Sequence, residues 1–297
     1  MLDSTLNDEG PTALAFFAAY SVFVEFGPRP ARLITQSQWQ DNQAVVEKYF
    51  RAEPRPQVMF AGSSLTTKLK FQEFGTCLFN LAVGGDSALT GLAAIVKSGD
   101  RPRKVFVEIN VPRPPNDELV ARASRILPRL SSVFYTENMP MNLLLGLSGW
   151  RVEKYWPTAR SQNVANDAAV FQNALSLQIQ GYDRPLPIHV IRPYLERLEA
   201  LVISLEERGT EVVMFEMPVH PQLEASKVAA QVRSATKARL KNRFIGYEEL
   251  SQGLAIKTSD GVHLRGSEAK GVVGNLEPFI KDVCFKSATT SGMSSTR

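Results

Sequence analysis

The chain has 297 residues, 34 Lys+Arg against 30 Asp+Glu for a formal net charge of +4, 44% hydrophobic and 22% charged residues. That length buries a sizeable core, in one large domain or two small ones, and the composition is that of an ordinary soluble globular protein rather than a disordered or fibrous one. The positive charge is scattered, and its densest run, Lys237 to Arg243, reads as the solvated end of a helix with no nucleic-acid module around it, which argues against nucleic acid as a partner.

Residues 1–11 are polar, and Thr12 to Val24 is almost entirely apolar. Thirteen helical residues reach about 20 Å, short of a hydrocarbon core of about 30 Å, so the stretch has the length of a signal-peptide core. It lacks a basic segment before it and a clear small-residue cleavage site after it, and Arg29 and Arg32 argue for the opposite orientation. Two readings stand: an N-terminal membrane anchor or export signal occupying 1–32, which is preferred, or a helix packed on the domain.

Thr35 to Arg51 has helical spacing, and Pro54 and Pro56 end it. Gln57 to Ala61 then reads as a strand that stops at Gly62 and gives way to Ser63-Ser64-Leu65-Thr66, with Thr66 to Leu69 able to start a helix. A strand ending in Gly and followed by hydroxyl residues holds those hydroxyls at the carboxyl edge of a sheet, where open α/β sheets bind ligands. The plainer alternative is that Ser63 or Ser64 only caps a helix.

From there strands and helices alternate. Leu78 to Val83, Lys104 to Ile109, Glu211 to Met217 and Arg243 to Tyr247 read as further strands. Ser87 to Lys97, Pro193 to Arg208, Leu223 to Leu240 and Gly266 to Val283 read as helices. The pattern predicts a three-layer α/β/α sandwich around a parallel sheet of about five strands, flavodoxin-like, over 33–285. Residues 111–191 are too long for a crossover and read as an insertion near the ligand edge, with Met141 to Leu147 as a buried patch within it. The Ser/Thr-rich 286–297 read as a disordered tail.

Cys77 and Cys284 are too few for a disulfide framework, and their pairing stays open. No Cys/His spacing reads as a metal site, and no metal or organic cofactor is expected.

The strand ends carry the chemistry: Gly62-Ser63-Ser64, then Gly84-Gly85-Asp86, then Glu108-Ile109-Asn110, and last Ser259-Asp260-Gly261-Val262-His263. This set, in this order, resembles the SGNH (GDSL-type) hydrolase superfamily over roughly 57–280. The resemblance implies Ser64 as nucleophile, His263 as general base and Asp260 as the acid that orients it. It also implies an oxyanion hole from the N–H of Ser64, the N–H of Gly85 and the side-chain amide of Asn110. The chemistry fits: a hydroxyl attacks poorly until a base takes its proton, and an imidazole needs a partner on its second nitrogen to fix its tautomer.

Departures are visible. Ser63 stands where the family often has Asp, and the Asn block lacks the usual Gly before and Asp after. This divergence resembles the branch associated with bacterial cell-surface polysaccharide modification. It implies an esterase or O-acyltransferase acting on acyl, often acetyl, esters of small molecules or saccharides, membrane-anchored facing the periplasm or exported. A catalytically silent scaffold or saccharide-binding part of an envelope polysaccharide machine is the alternative, as is a cytoplasmic esterase. His220, after the fourth strand, is the rival base or a substrate contact. His189 has no assigned duty, and Glu108 and Glu216 read as structural groups at the strand edge.

Overall fold

The computed structural model describes residues 9–28, 37–125, 132–155 and 164–285. Its helices are α1 (Glu9–Phe26), α2 (Gln38–Arg51), α3 (Ala88–Ser98), α4 (Asp117–Arg125), α5 (Pro140–Tyr155), α6 (Val164–Tyr182), α7 (Ile188–Glu206), α8 (Pro221–Glu224), α9 (Lys227–Arg239), α10 (Tyr247–Ser251) and α11 (Gly266–Cys284). Its strands are β1 (Val58–Gly62), β2 (Leu78–Ala82), β3 (Lys104–Glu108), β4 (Glu211–Phe215) and β5 (Arg243–Ile245). The tail reading for 286–297 and the orientation argument from Arg29 and Arg32 fall outside the described residues.

Two compact units share the chain: Met1–Arg51 with Arg122–Ser161, and Ala52–Ala121 with Gln162–Arg297. The second unit contains the sheet. All pairs are parallel and the order is β2-β1-β3-β4-β5. β1 and β3 are buried at every position, as central strands covered on both faces must be. Phe60, Phe106, Val213 and Phe215 face the apolar side of α11, with Val272, Val273, Leu276 and Ile280. On the other face α3 comes so close that a Cβ at Gly91 would sit 2.8 Å from the Leu81 carbonyl oxygen and 3.1 Å from the Ala61 Cβ. Helices on both faces of a parallel sheet make the three-layer α/β/α sandwich. The strand order reverses at β1, so the crevice between the carboxyl ends of β1 and β3 is the topological switch point where such sheets bind ligands.

Several expectations need correction. Thr66–Leu69 starts no α-helix and makes only a single 3₁₀ turn over Thr66–Lys68. The Asn80 side-chain amide on β2 donates to the Thr66 and Leu69 carbonyls (2.9 and 3.1 Å), taking acceptors that a continuing helix would need. The helix expected over 223–240 is two helices, because Ser226 opens the second by accepting from the Ala229 N–H. Cys77 and Cys284 form a disulfide across 207 positions, with Cα atoms 5.8 Å apart, pinning the start of β2 to the end of α11.

The first unit holds α1, α2 and α5. Residues 38–51 belong here rather than with the sheet, because the buried Glu47 on α2 accepts from the Thr136 N–H (2.9 Å) and hydroxyl (2.8 Å) and from Gln43 (2.6 Å). The 111–191 insertion therefore divides, its middle joining α2 and its last part the sheet unit. Met141–Leu147 is half of what was expected: Leu143 is buried, whereas Met141 and Leu144 face outward on α5. On α1, Val24 packs with Val133 and Leu143, while Leu14, Phe16 and Phe26 are exposed. No described helix is long and apolar enough to cross a membrane.

Candidate active site

β1 runs buried from Val58 to Gly62 and then turns, leaving Ser64 half-buried at the carboxyl edge of the sheet. The turn is held by Thr67, whose N–H reaches the Ser63 carbonyl (3.3 Å) and whose hydroxyl donates to the Ser64 carbonyl (2.7 Å). On the loop before α11, an isolated antiparallel bridge between Thr258 and Leu264 closes a tight loop around Asp260–His263. Gly261 lies in the left-handed region at φ +97°, a conformation that lets the loop double back.

That loop presents an imidazole to the hydroxyl. His263 Nε2 lies 2.9 Å from Ser64 Oγ, and His263 Nδ1 lies 2.6 Å from Asp260 Oδ2. The other carboxylate oxygen of Asp260 accepts from the His263 N–H (2.8 Å) and the Val262 N–H (3.1 Å), so the carboxylate is fixed independently of its bond to the ring. Burial pushes the Asp260 carboxyl upward, but the bonds and charge of His263 outweigh it and hold the group below its ordinary range. When Nδ1 carries its proton toward Asp260, Nε2 can accept one from Ser64, the tautomer that base catalysis needs.

The remaining sequence-derived residues are placed less simply. Gly85 is exposed, with φ +72°, and its carbonyl accepts from the Arg113 guanidinium at 2.9 Å. Asn110 makes a two-way clamp between the ends of β3 and β4: its amide nitrogen donates to the Met217 carbonyl (2.9 Å) and its amide oxygen accepts from the Met217 N–H (2.7 Å). One of its two amide hydrogens is thus committed.

The ring hydrogen-bonded to Ser64 is that of His263, not His220. His220 instead caps α8, accepting from the Gln222 N–H at 3.4 Å, and packs against Phe171 with ring centroids 6.2 Å apart. Its backbone N–H donates to the Gly261 carbonyl (2.8 Å), tying the segment after β4 to the Asp260–His263 loop. His189 is exposed at the start of α7. Glu216 is paired with Arg233 through two bonds of 2.7 and 2.8 Å, a structural ion pair.

Three residues beside the site escaped sequence reasoning. Glu108, read only as a strand-edge group, reaches the turn that carries Ser64; its neighbour in that network, Thr66, gave no signal beyond being a turn hydroxyl. From the insertion, α6 lays Leu175 against the Asp260–His263 loop, where a Cβ on Gly261 would meet the Leu175 side chain at 2.9 Å. The i, i+4, i+8 spacing of Phe171, Leu175 and Ile179 is the pattern that marks this inward face.

Neither family models nor curated proteins give a match to this chain. Among solved structures, the chain is similar to the crystal structure of TesA at 13% identity, over 76% of this chain and 98% of that one, with a TM-score of 0.38.

Proposed function

We propose that this chain is a serine-dependent acyl-ester hydrolase or O-acyltransferase of the SGNH type. The observation that carries the reading is the unbroken hydrogen-bonded series Ser64–His263–Asp260 at the carboxyl edge of the sheet. In this mechanism Ser64 Oγ attacks the ester carbonyl carbon as its proton passes to His263 Nε2, and Asp260 stabilises the resulting imidazolium. The alkoxide on the former carbonyl oxygen is met by the N–H groups of Ser64 and Gly85 and by the second amide hydrogen of Asn110. The C–O bond to the alcohol then breaks, His263 returns the proton to the leaving oxygen, and an acyl-Ser64 remains. Water or a sugar hydroxyl then gives its proton to His263 as it attacks the acyl carbon; the acyl–Oγ bond breaks, His263 returns that proton to Ser64 Oγ, and the carboxylic acid or the acylated sugar leaves.

The acyl group of this reading is acetyl or similarly small, and the acceptor is a saccharide or a small alcohol. Export or membrane association fits two features. The Cys77–Cys284 disulfide belongs to an oxidising compartment, and α1 exposes Leu14, Phe16 and Phe26. Work in the cell envelope on surface polysaccharide is the setting this favours.

The test is hydrolysis of a chromogenic acetyl ester and labelling by a fluorophosphonate probe. Ser64→Ala and His263→Ala, with unchanged circular dichroism, should fall to background in hydrolysis, and Ser64→Ala should lose the label. Retained turnover in either variant would refute the assignment. Adding an oligosaccharide acceptor and looking for acylated sugar by mass spectrometry separates transferase from hydrolase.

A further inference from the structure

We propose that Glu108 is a positioning residue for Ser64, bracing the turn after β1 so that the serine hydroxyl stays within reach of His263. The inference rests on the acyl-ester reading above.

Glu108 is the last residue of β3, which pairs in register with β1 up to Ala61↔Val107. Its side chain therefore arises beside the point where β1 gives way to the Ser64 turn. It is buried, with 1% of its surface exposed. A carboxylate in such a place needs its oxygens occupied, and both are. Oε2 accepts from the Ser63 N–H (2.8 Å) and from the Thr66 hydroxyl (2.6 Å), while Oε1 accepts from the Ser63 hydroxyl (2.6 Å). Ser63 Oγ in turn accepts from the Leu65 N–H at 3.2 Å. Positions 63, 65 and 66 are thereby tied, directly or through one hydroxyl, to a single side chain on the neighbouring strand. The hydroxyl of Ser64, by contrast, points to His263.

Gly62 makes the arrangement possible, because a Cβ there would lie 2.8 Å from Glu108 Oε2 and would also collide with Thr66. Glu108 has no contact with the reacting atoms in this geometry, so its effect passes through the turn. Nucleophilic attack is sensitive to such support, since a displacement of about 1 Å can cost about 10²-fold in rate. Three donors converge on the two oxygens of Glu108, and Glu108→Gln would turn an N–H₂ toward at least one group that now donates.

The experiment compares Glu108→Gln, Ser63→Ala and Thr66→Val with the wild-type full chain. It measures kcat and KM on the chromogenic acetyl ester and the rate of fluorophosphonate labelling at Ser64, each scaled to the folded fraction by circular dichroism. Glu108→Gln should lower kcat and the labelling rate by about 10²-fold, with KM changed by less than about 3-fold. Ser63→Ala and Thr66→Val, each removing one donor at little change in volume, should lower both rates by about 10-fold. A purely structural role would lower the unfolding temperature but leave these per-molecule rates alone, and that result overturns the proposal. Where Glu108→Gln does not fold, Thr66→Val decides on the same terms. Absence of labelling in the wild type would sink the acyl-ester reading and this inference with it. Ser64-dependent labelling at the wild-type rate in all folded variants would sink this inference alone.

Discussion

His263 Nε2 and Ser64 Oγ meet at 2.9 Å although 199 positions separate them in the chain. The contact depends on Asp260, which holds the ring from the other side at 2.6 Å. Asp260→Asn keeps an acceptor for the two backbone N–H groups but removes the charge that selects the Nδ1–H tautomer. Turnover on an acetyl ester should fall by about 10³–10⁴-fold with little change in fold, as loss of the acid does in other triads. Steady-state kinetics with a circular dichroism control checks this; a loss of under 10-fold, on the order of a surface change, would remove Asp260 from the mechanism.

The same residue gives a pH signature. The Asp260 carboxyl is raised by burial but lowered more by its bonds to His263 and Val262, so its folded value lies below the ordinary 3.8. A depressed folded value contributes stability that is present above the unfolded pKa and is lost as pH falls through the folded one. The stability difference between wild type and Asp260→Asn should therefore be largest above about pH 4 and shrink below it. Chemical denaturation of both proteins across pH 3–7 measures it. A difference that stays constant over that range contradicts the assignment.

Gly261 tests the loop rather than the charge. With φ +97° and Leu175 in the way of any Cβ, Gly261→Ala meets both backbone strain and a clash. The expected loss is about 1–3 kcal/mol of stability, with activity falling further because Asp260 and His263 flank the distorted residue. Thermal unfolding and kcat are read together; unchanged values for both would show that the loop adapts freely.

The disulfide makes a different prediction. Bridging Cys77 to Cys284 closes a loop spanning 207 positions. Removing it with Cys77→Ser and Cys284→Ser together, or reducing it, should cost about 2–5 kcal/mol of stability. Neither cysteine takes part in the Ser64–His263–Asp260 series, so the residual folded protein should keep its activity. Equal denaturation midpoints with and without reductant would show that the bridge contributes nothing.

The sheet and the segments that bring Ser64, Asp260 and His263 together were legible in the sequence. Each strand is a short apolar run bounded by Gly, Pro or polar residues, and Gly62-Ser63-Ser64 and Asp260 to His263 are local segments that stand out through their resemblance to the SGNH motifs. What escaped was long-range. Nothing near Asn80 in sequence says that its side chain will take the carbonyls of Thr66 and Leu69 and cut a helix short. Glu47 gives no local sign that it will bind Thr136 and draw α2 out of the sheet unit. Glu108 has the same character: a charged residue ending an apolar strand looks solvent-bound until β1 is laid beside it. Polar residues whose partners lie tens of positions away are invisible to periodicity, which reports only which face is apolar.

Asn110 joins the two levels, and its substitution separates them. Its side chain spends one amide hydrogen and its oxygen on Met217, linking the ends of β3 and β4. The second hydrogen is the one assigned to the oxyanion. Asn110→Ala should therefore do two things at once. Leaving the Met217 N–H and carbonyl without their partner costs about 1–3 kcal/mol, and removing the donor lowers kcat by about 10²–10³-fold per folded molecule. Asn110→Asp keeps the acceptor for the Met217 N–H, but it sets a carboxylate oxygen against the Met217 carbonyl and brings a negative charge to the place where negative charge develops, so it should lose at least as much turnover as Ala. Urea denaturation gives the first quantity and single-turnover acylation the second. If Asn110→Asp acylates as fast as wild type, the clamp is the whole role of Asn110, and the oxyanion must be held by the backbone N–H groups of Ser64 and Gly85 without it.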